Sequence, residues 1–356
     1  MTTEAPAPET PPAPEKPPAK AKEESFLNLF LHNLWSANTV TVTILSIFLA
    51  LVIGAVLIVI SDPTVLSTFS YLTSRPSDAL TASWDLVSQA YADLFKGAIF
   101  DPAAVRAWID GSGDWKTALN PLSETLTYAA PLVFTGLSVA IAFRGGLFNI
   151  GGQGQAVIGT ITAGVAGFAI ALPAGLHLLV ALAAGLIGGA LWGFVPGLLK
   201  ARTGAHEVIT TIMLNYVATL FLGWLILQSG VQDPGRTDAV SKTIASSAVL
   251  PALPQPLRVH LGIVIAVLVT AAVAWMINRS SFGFELRAVG VNPPAAKTAG
   301  MSVGRTYILL MVVAGGLAGL GGAVQVLGTA DRLTGQVAGN IGFDGLLVAL
   351  LGRNKP

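Results

Sequence analysis

Of 356 residues, 53% are hydrophobic and only 11% charged, with a mean hydropathy of +0.69. That is too little charge to cover a soluble domain of this size, so the chain reads as an integral membrane protein. A net charge of +1 gives no ground for a nucleic-acid partner, and the absence of cysteine excludes disulfides, iron–sulfur clusters and thiolate metal sites.

Residues 1–25, MTTEAPAPETPPAPEKPPAKAKEES, are rich in Pro, Ala, Glu and Lys. They bury too little surface to order themselves and read as a disordered tail, not as a signal peptide. FLNLFLHNLW follows, and its helical rhythm predicts an amphipathic helix in the headgroup layer over 26–38. The run over 39–60 predicts a first transmembrane helix, since a bilayer crossing takes about 20 apolar residues. The 61–120 connection is too long for a turn. Its DALTASWDLVSQAYADLFKGAI stretch spaces apolar residues by three and four, which predicts a helix lying along the outer face, with Trp84, Tyr91, Trp108 and Trp115 in the interfacial aromatic belt.

Residues 121–356 predict further spans near 121–143, 154–172, 176–199, 207–228, 261–277 and 306–327, and a short one at 341–351. With alternating spans, Arg144, Lys200, Arg202, Arg279, Arg287, Lys297 and Arg305 share one side, which the positive-inside bias makes cytoplasmic. Gly185, Gly189 and Gly193, and likewise Gly315 and Gly319, recur every fourth residue. Such small faces let helices approach closely in lipid. The fold class is therefore an all-α polytopic transmembrane bundle with broken or re-entrant helices.

Enzyme chemistry finds no support. No G-x-x-x-x-G-K-[ST] loop occurs, so the chain has no ATPase motif of its own. GGQGQ (151–155) leads into an apolar run and not a strand–helix unit, and HEVIT (206–210) has Thr210 where a zinc-protease helix needs its second His. We assign no catalytic residue, no metal ligand and no cofactor. Glu124, Glu207 and Asp344 each stand near a predicted helix start. They either cap or complement helix ends or serve an ion-coupled carrier, which needs buried carboxylates; energy supplied from outside the chain is the better fit.

Between two long apolar runs lies FGFELRAVGVNPPAAKTAGMSVGR (282–305), within a segment spanning 278–305. Pro293–Pro294 breaks any continuous helix, with Val291 and Asn292 extended or turned before it. ELRAVG and AAKTAG each predict a short helical turn. From residues alone this is either a knob that another protein grips or an ordinary solvated loop.

The pattern F-G-x-x-x-R-A-x-G-x-N-x-x-A-A-x-x-x-G decides between them. Here it is Phe282, Gly283, Arg287, Ala288, Gly290, Asn292, Ala295, Ala296 and Gly300, with Glu285 inside it. It resembles the cytoplasmic coupling loop of ABC importer permeases of the ribose/branched-chain amino acid permease superfamily. AFRGGLFNIGGQGQ (142–155) and TGAHEVITTIMLNYVA (203–218) are similar to signatures of its nucleoside-type members, with Gln153 and His206 departing from the commoner Glu and Asn. The resemblance covers roughly 120–356. It implies a multi-pass permease subunit in a bacterial cytoplasmic membrane. Its implied partners are an ABC ATPase, an extracytoplasmic substrate-binding lipoprotein and a second permease subunit, identical or paralogous. It also implies further hydrophobic segments beyond ALLGRNKP (349–356). Replacing Arg287 or Gly290 is then expected to uncouple ATP hydrolysis from uptake with the fold intact. The alternatives are a ribose-type sugar permease, an ion-coupled carrier and a membrane scaffold.

The implied substrate path includes FNIGGQGQ (148–155), because irregular backbone at membrane depth survives only where it lines a cavity or is covered by protein. Asn149, Gln153 and Gln155 offer uncharged amides there, either to sugar hydroxyls and base edges or to the broken backbone itself. Asn215 and Gln325 fall near mid-span, facing the path or bonding between helices.

Overall fold

The computed structural model describes residues 39–253 and 257–354. The expected tail over 1–25 and interfacial helix over 26–38 lie outside them. The chain divides into two compact units, Met1–Ala92 and Asp93–Pro356. Among the described residues there are isolated bridges but no β-strand.

In the first unit, α1 (Thr39–Ser61) is apolar on every side, as a lone helix in lipid must be. Asp62 ends it and caps α2 (Pro63–Thr68) by accepting from the Thr64 and Val65 amides at 2.8 and 3.1 Å. α3 (Pro76–Ala98) is the amphipathic helix of the long connection, and its Tyr91 hydroxyl donates to the Leu51 carbonyl of α1.

The second unit continues with α4 (Pro102–Ile109) and then α5 (Trp115–Arg144), which runs through Pro121 and Pro131. It is followed by α6 (Gly152–Ala169), α7 (Leu176–Thr203), α8 (Glu207–Leu225) and α9 (Gly262–Arg279). Two short helices, α10 (Ser281–Val291) and α11 (Pro293–Thr298), precede α12 (Val303–Gln325). A π-helical turn over Val326–Ala330 ends α12, and α13 (Ile341–Leu351) closes the described chain.

Six described helices, α1, α5, α7, α8, α9 and α12, are long and apolar enough to cross a membrane. The helix expected near 154–172 is α6, which is not one of them. It opens on GQGQ and is buried along nearly its whole length among α7, α8, α12 and α13. A helix wrapped in protein can carry polar residues that lipid would penalise.

The glycine stripes explain how α6, α7 and α12 pack. A Cβ on Gly189 would overlap the Gly315 carbonyl, and one on Gly193 would overlap that of Met311. Gly319 meets Gly159 and Gly185 in the same manner. Backbones thus touch directly, where dispersion and close fit supply the stability that apolar burial gives in water.

Candidate translocation groove

Two interruptions of helical structure, both at depth, build the site. The first lies between α5 and α6. Leu147 and Asn149 of this turn are buried, so the irregular backbone is covered by protein. Asn215 on α8 spans it: its Oδ1 accepts from the Gly154 amide at 2.8 Å, and its Nδ2 donates to the Ile150 carbonyl at 3.0 Å.

The second interruption is the non-helical chain from Asp331 to Asn340. Asp331, at φ 52°, turns the backbone out of the π-helical turn. Leu333 and Ser241 then exchange bonds, the Leu333 amide to Ser241 Oγ at 2.8 Å and the Ser241 amide to the Leu333 carbonyl at 3.0 Å. Arg332 pairs with Asp233 at 2.9 Å. The Gly235 amide, and then Arg332, hold the Asp233 carboxyl below the usual range. From this strap the chain descends along α6 until α13 begins beside Thr135, whose hydroxyl donates to the Ile341 carbonyl at 2.8 Å. Gln153 spans this second break. Its Nε2 donates to the Gly339 carbonyl at 2.6 Å, and its Oε1 accepts from the Gly342 amide at 2.9 Å.

Both side chains therefore do the same task. Each supplies one acceptor and one donor to a pair of orphaned backbone groups, and leaving such a group unpaired costs about 1–3 kcal/mol. Of the amides expected on a substrate path, Gln153 and Asn215 do line a groove, with their hydrogen bonds spent on the backbone. Asn149 and Gln155 bond mutually at 2.9 and 3.2 Å, are fully buried, and stand apart from the groove. Gln325 also stands apart, its Oε1 buried without a partner.

The groove measures about 580 Å3 and runs between α6, α8 and the 335–343 stretch. Tyr216, Thr219, Gln336, Asn340 and Phe343 line it besides the two clamping amides, and no charged residue does. Tyr216 is 67% exposed and Phe343 43%. Sequence reasoning missed these residues. The available signal was TGQVAGN (334–340), a polar, glycine-rich run directly before an apolar helix too short to cross a bilayer.

At one end of the bundle, α10 and α11 form a bent pair. Ser280 caps α10 by accepting from the Gly283 amide at 2.9 Å, and Asn292, extended at φ −153°, caps α11 through the Ala295 amide at 3.0 Å. Asn292 is extended as expected, whereas Val291, expected extended or turned with it, is the last residue of α10; Pro293 and Pro294 suit the first turn of a helix and open α11. ELRAVG lies within an eleven-residue helix, longer than the turn expected. Leu286 is buried against Ile141, Ile277 and Leu310, while Phe284 and Val291 are 58% and 87% exposed. Gly290 rests on the end of α5, where a Cβ would overlap the Arg144 carbonyl. This corrects one expectation. Any side chain at Gly290 forces the contact between α10 and the end of α5 to shift, so its replacement perturbs packing, whereas Arg287 is only partly buried and is open to substitution.

The three carboxylates near helix starts separate clearly. Glu207 pairs with Lys200 at 2.8 Å and Glu124 with Arg258 at 3.2 Å. The Asp344 side chain has no hydrogen bond or ion pair among the described residues, and it is exposed.

Comparison with known proteins gives these features a frame. The family described as branched-chain amino acid transport system / permease component matches residues 122–356. The guanosine ABC transporter permease protein NupP of Bacillus subtilis is 42% identical over 236 residues, 65% of this chain and 68% of that protein. The nucleoside ABC transporter permease protein NupB of Lactococcus lactis is 40% identical over 246 residues, 66% of this chain and 67% of that one. A second guanosine ABC transporter permease protein of Bacillus subtilis, NupQ, is 28% identical over 65% of this chain and 75% of its own length. No solved structure matches. The family match over 122–356 and these relatives place this chain, with its six long apolar helices, among the permease components of branched-chain amino acid transport systems, as a multi-pass ABC transporter permease.

Proposed function

We propose that this chain is the translocation subunit of an ATP-driven importer of nucleosides. The observation that carries this reading is the composition of the groove in a chain so close to guanosine and nucleoside permeases. Tyr216 and Phe343 offer ring faces to a base, and Thr219, Gln336 and Asn340 offer donors and acceptors to ribose hydroxyls and base edges. A neutral, hydroxyl-rich, aromatic solute fits such a lining.

In this reading a second permease subunit covers the open side of the groove, as the two related permease proteins of Bacillus subtilis suggest. A substrate-binding lipoprotein docks at the end carrying the Asp233–Arg332 strap. An ATPase subunit grips α10 and α11 at the opposite end, through Phe284, Arg287, Val291 and the flank of α11 formed by Ala295 and Lys297. That end gathers Arg144, Lys200, Arg202, Arg279 and Arg305, so it faces the cytoplasm of a bacterial plasma membrane.

Uptake of radiolabelled guanosine by cells carrying the whole transporter is expected to be inhibited by other nucleosides and not by free ribose; the reverse order of competition would remove the nucleoside assignment. Phe284→Asp with Val291→Asp is expected to abolish co-purification of the ATPase without lowering the thermal stability of the permease. An ATPase that stays bound to that variant would show that the grip lies elsewhere.

A further inference from the structure

Asp344 stands at a depth where an unpaired carboxylate needs a reason. α13 runs alongside α5 in the same direction, with Ile341 beside Thr135 and Asn354 accepting from Arg144 Nε at 2.7 Å. Thr135 precedes the end of α5 by nine residues, which is about 13 Å at a helical rise of 1.5 Å per residue. A hydrocarbon layer about 30 Å thick therefore places Asp344 well inside the membrane. Acyl chains are a costly neighbour for a carboxylate, so such groups face water-filled cavities or protein. Asn340, whose carbonyl accepts the Asp344 amide at 2.9 Å across the first turn, lines the groove, and so does the adjacent Phe343; Asp344 is exposed just beyond that lining.

The local backbone adds a charge of opposite sign. α6 and α13 begin at the same depth and run apart, with Gly342 pressed on the Gln153 backbone. Two helix N-termini, each equivalent to about half a positive charge, meet beside a groove whose lining carries no charge, with Asp344 next in sequence to its lining residue Phe343. On their own they would attract anions.

We propose that Asp344 sets the charge selectivity of the groove: its carboxylate faces the solute path and offsets the paired helix ends, so that neutral solutes pass and anionic ones, such as phosphorylated forms of the same solute, are disfavoured. This rests on the permease reading above but does not depend on the solute being a nucleoside.

The chain has no cysteine, which gives a direct electrostatic test on the full transporter complex. Asn340→Cys is treated with small cationic and anionic methanethiosulfonates of equal size, with Asp344 native and with Asp344→Asn. A unit charge about 6 Å away in a water-like medium separates the two reagents by about tenfold. The cation-to-anion rate ratio is expected to fall by about that factor in Asp344→Asn and to stay at the native value in Asp344→Glu. Leu268→Cys, on the exposed face of α9, serves as the lipid-facing control and is expected to react with neither reagent. An unmoved ratio overturns the proposal. So does an Asn340→Cys thiol as unreactive as the lipid-facing control, because the path is then not water-filled at this depth. Either result leaves the guanosine competition assay, and the reading it tests, standing.

Discussion

The two broken junctions use one chemical device in two settings. At the first, Asn215 holds Gly154 and Ile150 at the groove's edge, and behind it the buried amides of Asn149 and Gln155 close on each other, so the polar groups of the turn are paired. At the second, Gln153 holds Gly339 and Gly342 equally well, yet Gln336, Asn340 and Asp344 nearby are exposed. The first junction is an anchor. The second is, in the reading proposed above, the surface that a solute meets, and its backbone is suspended between the Asp233–Arg332 strap and Thr135 of α5.

The sharpest way to break this contrast is Gly342→Ala. A Cβ there would overlap the Gln153 backbone, which has no rotamer to yield. We expect a loss of about 3 kcal/mol or more, read as collapse of the purified complex's thermal transition. Asn215→Ala comes next. It leaves the buried Gly154 amide and the half-buried Ile150 carbonyl without their side-chain partner, for about 2–4 kcal/mol of stability, and a transition shifted by less than a few degrees would show that groove water reaches the first junction too. Gln153→Ala removes two equivalent bonds, but one of the freed partners, Gly339, is exposed and can take water instead. Its stability cost is expected to be about 1–2 kcal/mol, with uptake falling further than stability accounts for. Equal costs for Asn215→Ala and Gln153→Ala would erase the distinction between anchor and path.

The smallest effect concerns the strap. The folded state holds the Asp233 carboxyl below its unfolded value, chiefly through the Gly235 amide and then Arg332. Its contribution is therefore present above the ordinary Asp range and is lost as pH falls through the lowered folded value. Between about pH 6 and about pH 3, amide hydrogen exchange over residues 233–244, corrected for intrinsic rates, is expected to accelerate modestly. Arg332→Ala should produce the same acceleration at neutral pH.

Much of this bundle was legible from residue order, because lipid imposes long apolar runs that few other environments require. The helix expected over 176–199 runs Leu176–Thr203, and that over 306–327 runs Val303–Gln325 before its π-helical turn. The glycine repeats at Gly185, Gly189 and Gly193 meet Gly315 and Gly319 because both stripes have the same spacing. The groove was less legible. Its walls come from positions as far apart as Ile150 and Phe343, and no local pattern ties Tyr216 to Gln336. The TGQVAGN run reads as an outer loop until α13 is seen to begin beside Thr135, about two thirds of the way along α5. Amide side chains posed a related difficulty: sequence marks Asn215 and Gln153 as polar groups near a break, but not which carbonyl each one meets.

Gly290 carries a consequence of its own. It sets α10 against the terminal carbonyl of α5 with no side chain between them, and α5 in turn holds Ile341 through Thr135. A soft methyl or a long rotamer at that contact would absorb small displacements by flexing. Two bare main chains pressed together have no such compliance, so α10 cannot close further on α5 at this contact unless the end of α5 itself gives way.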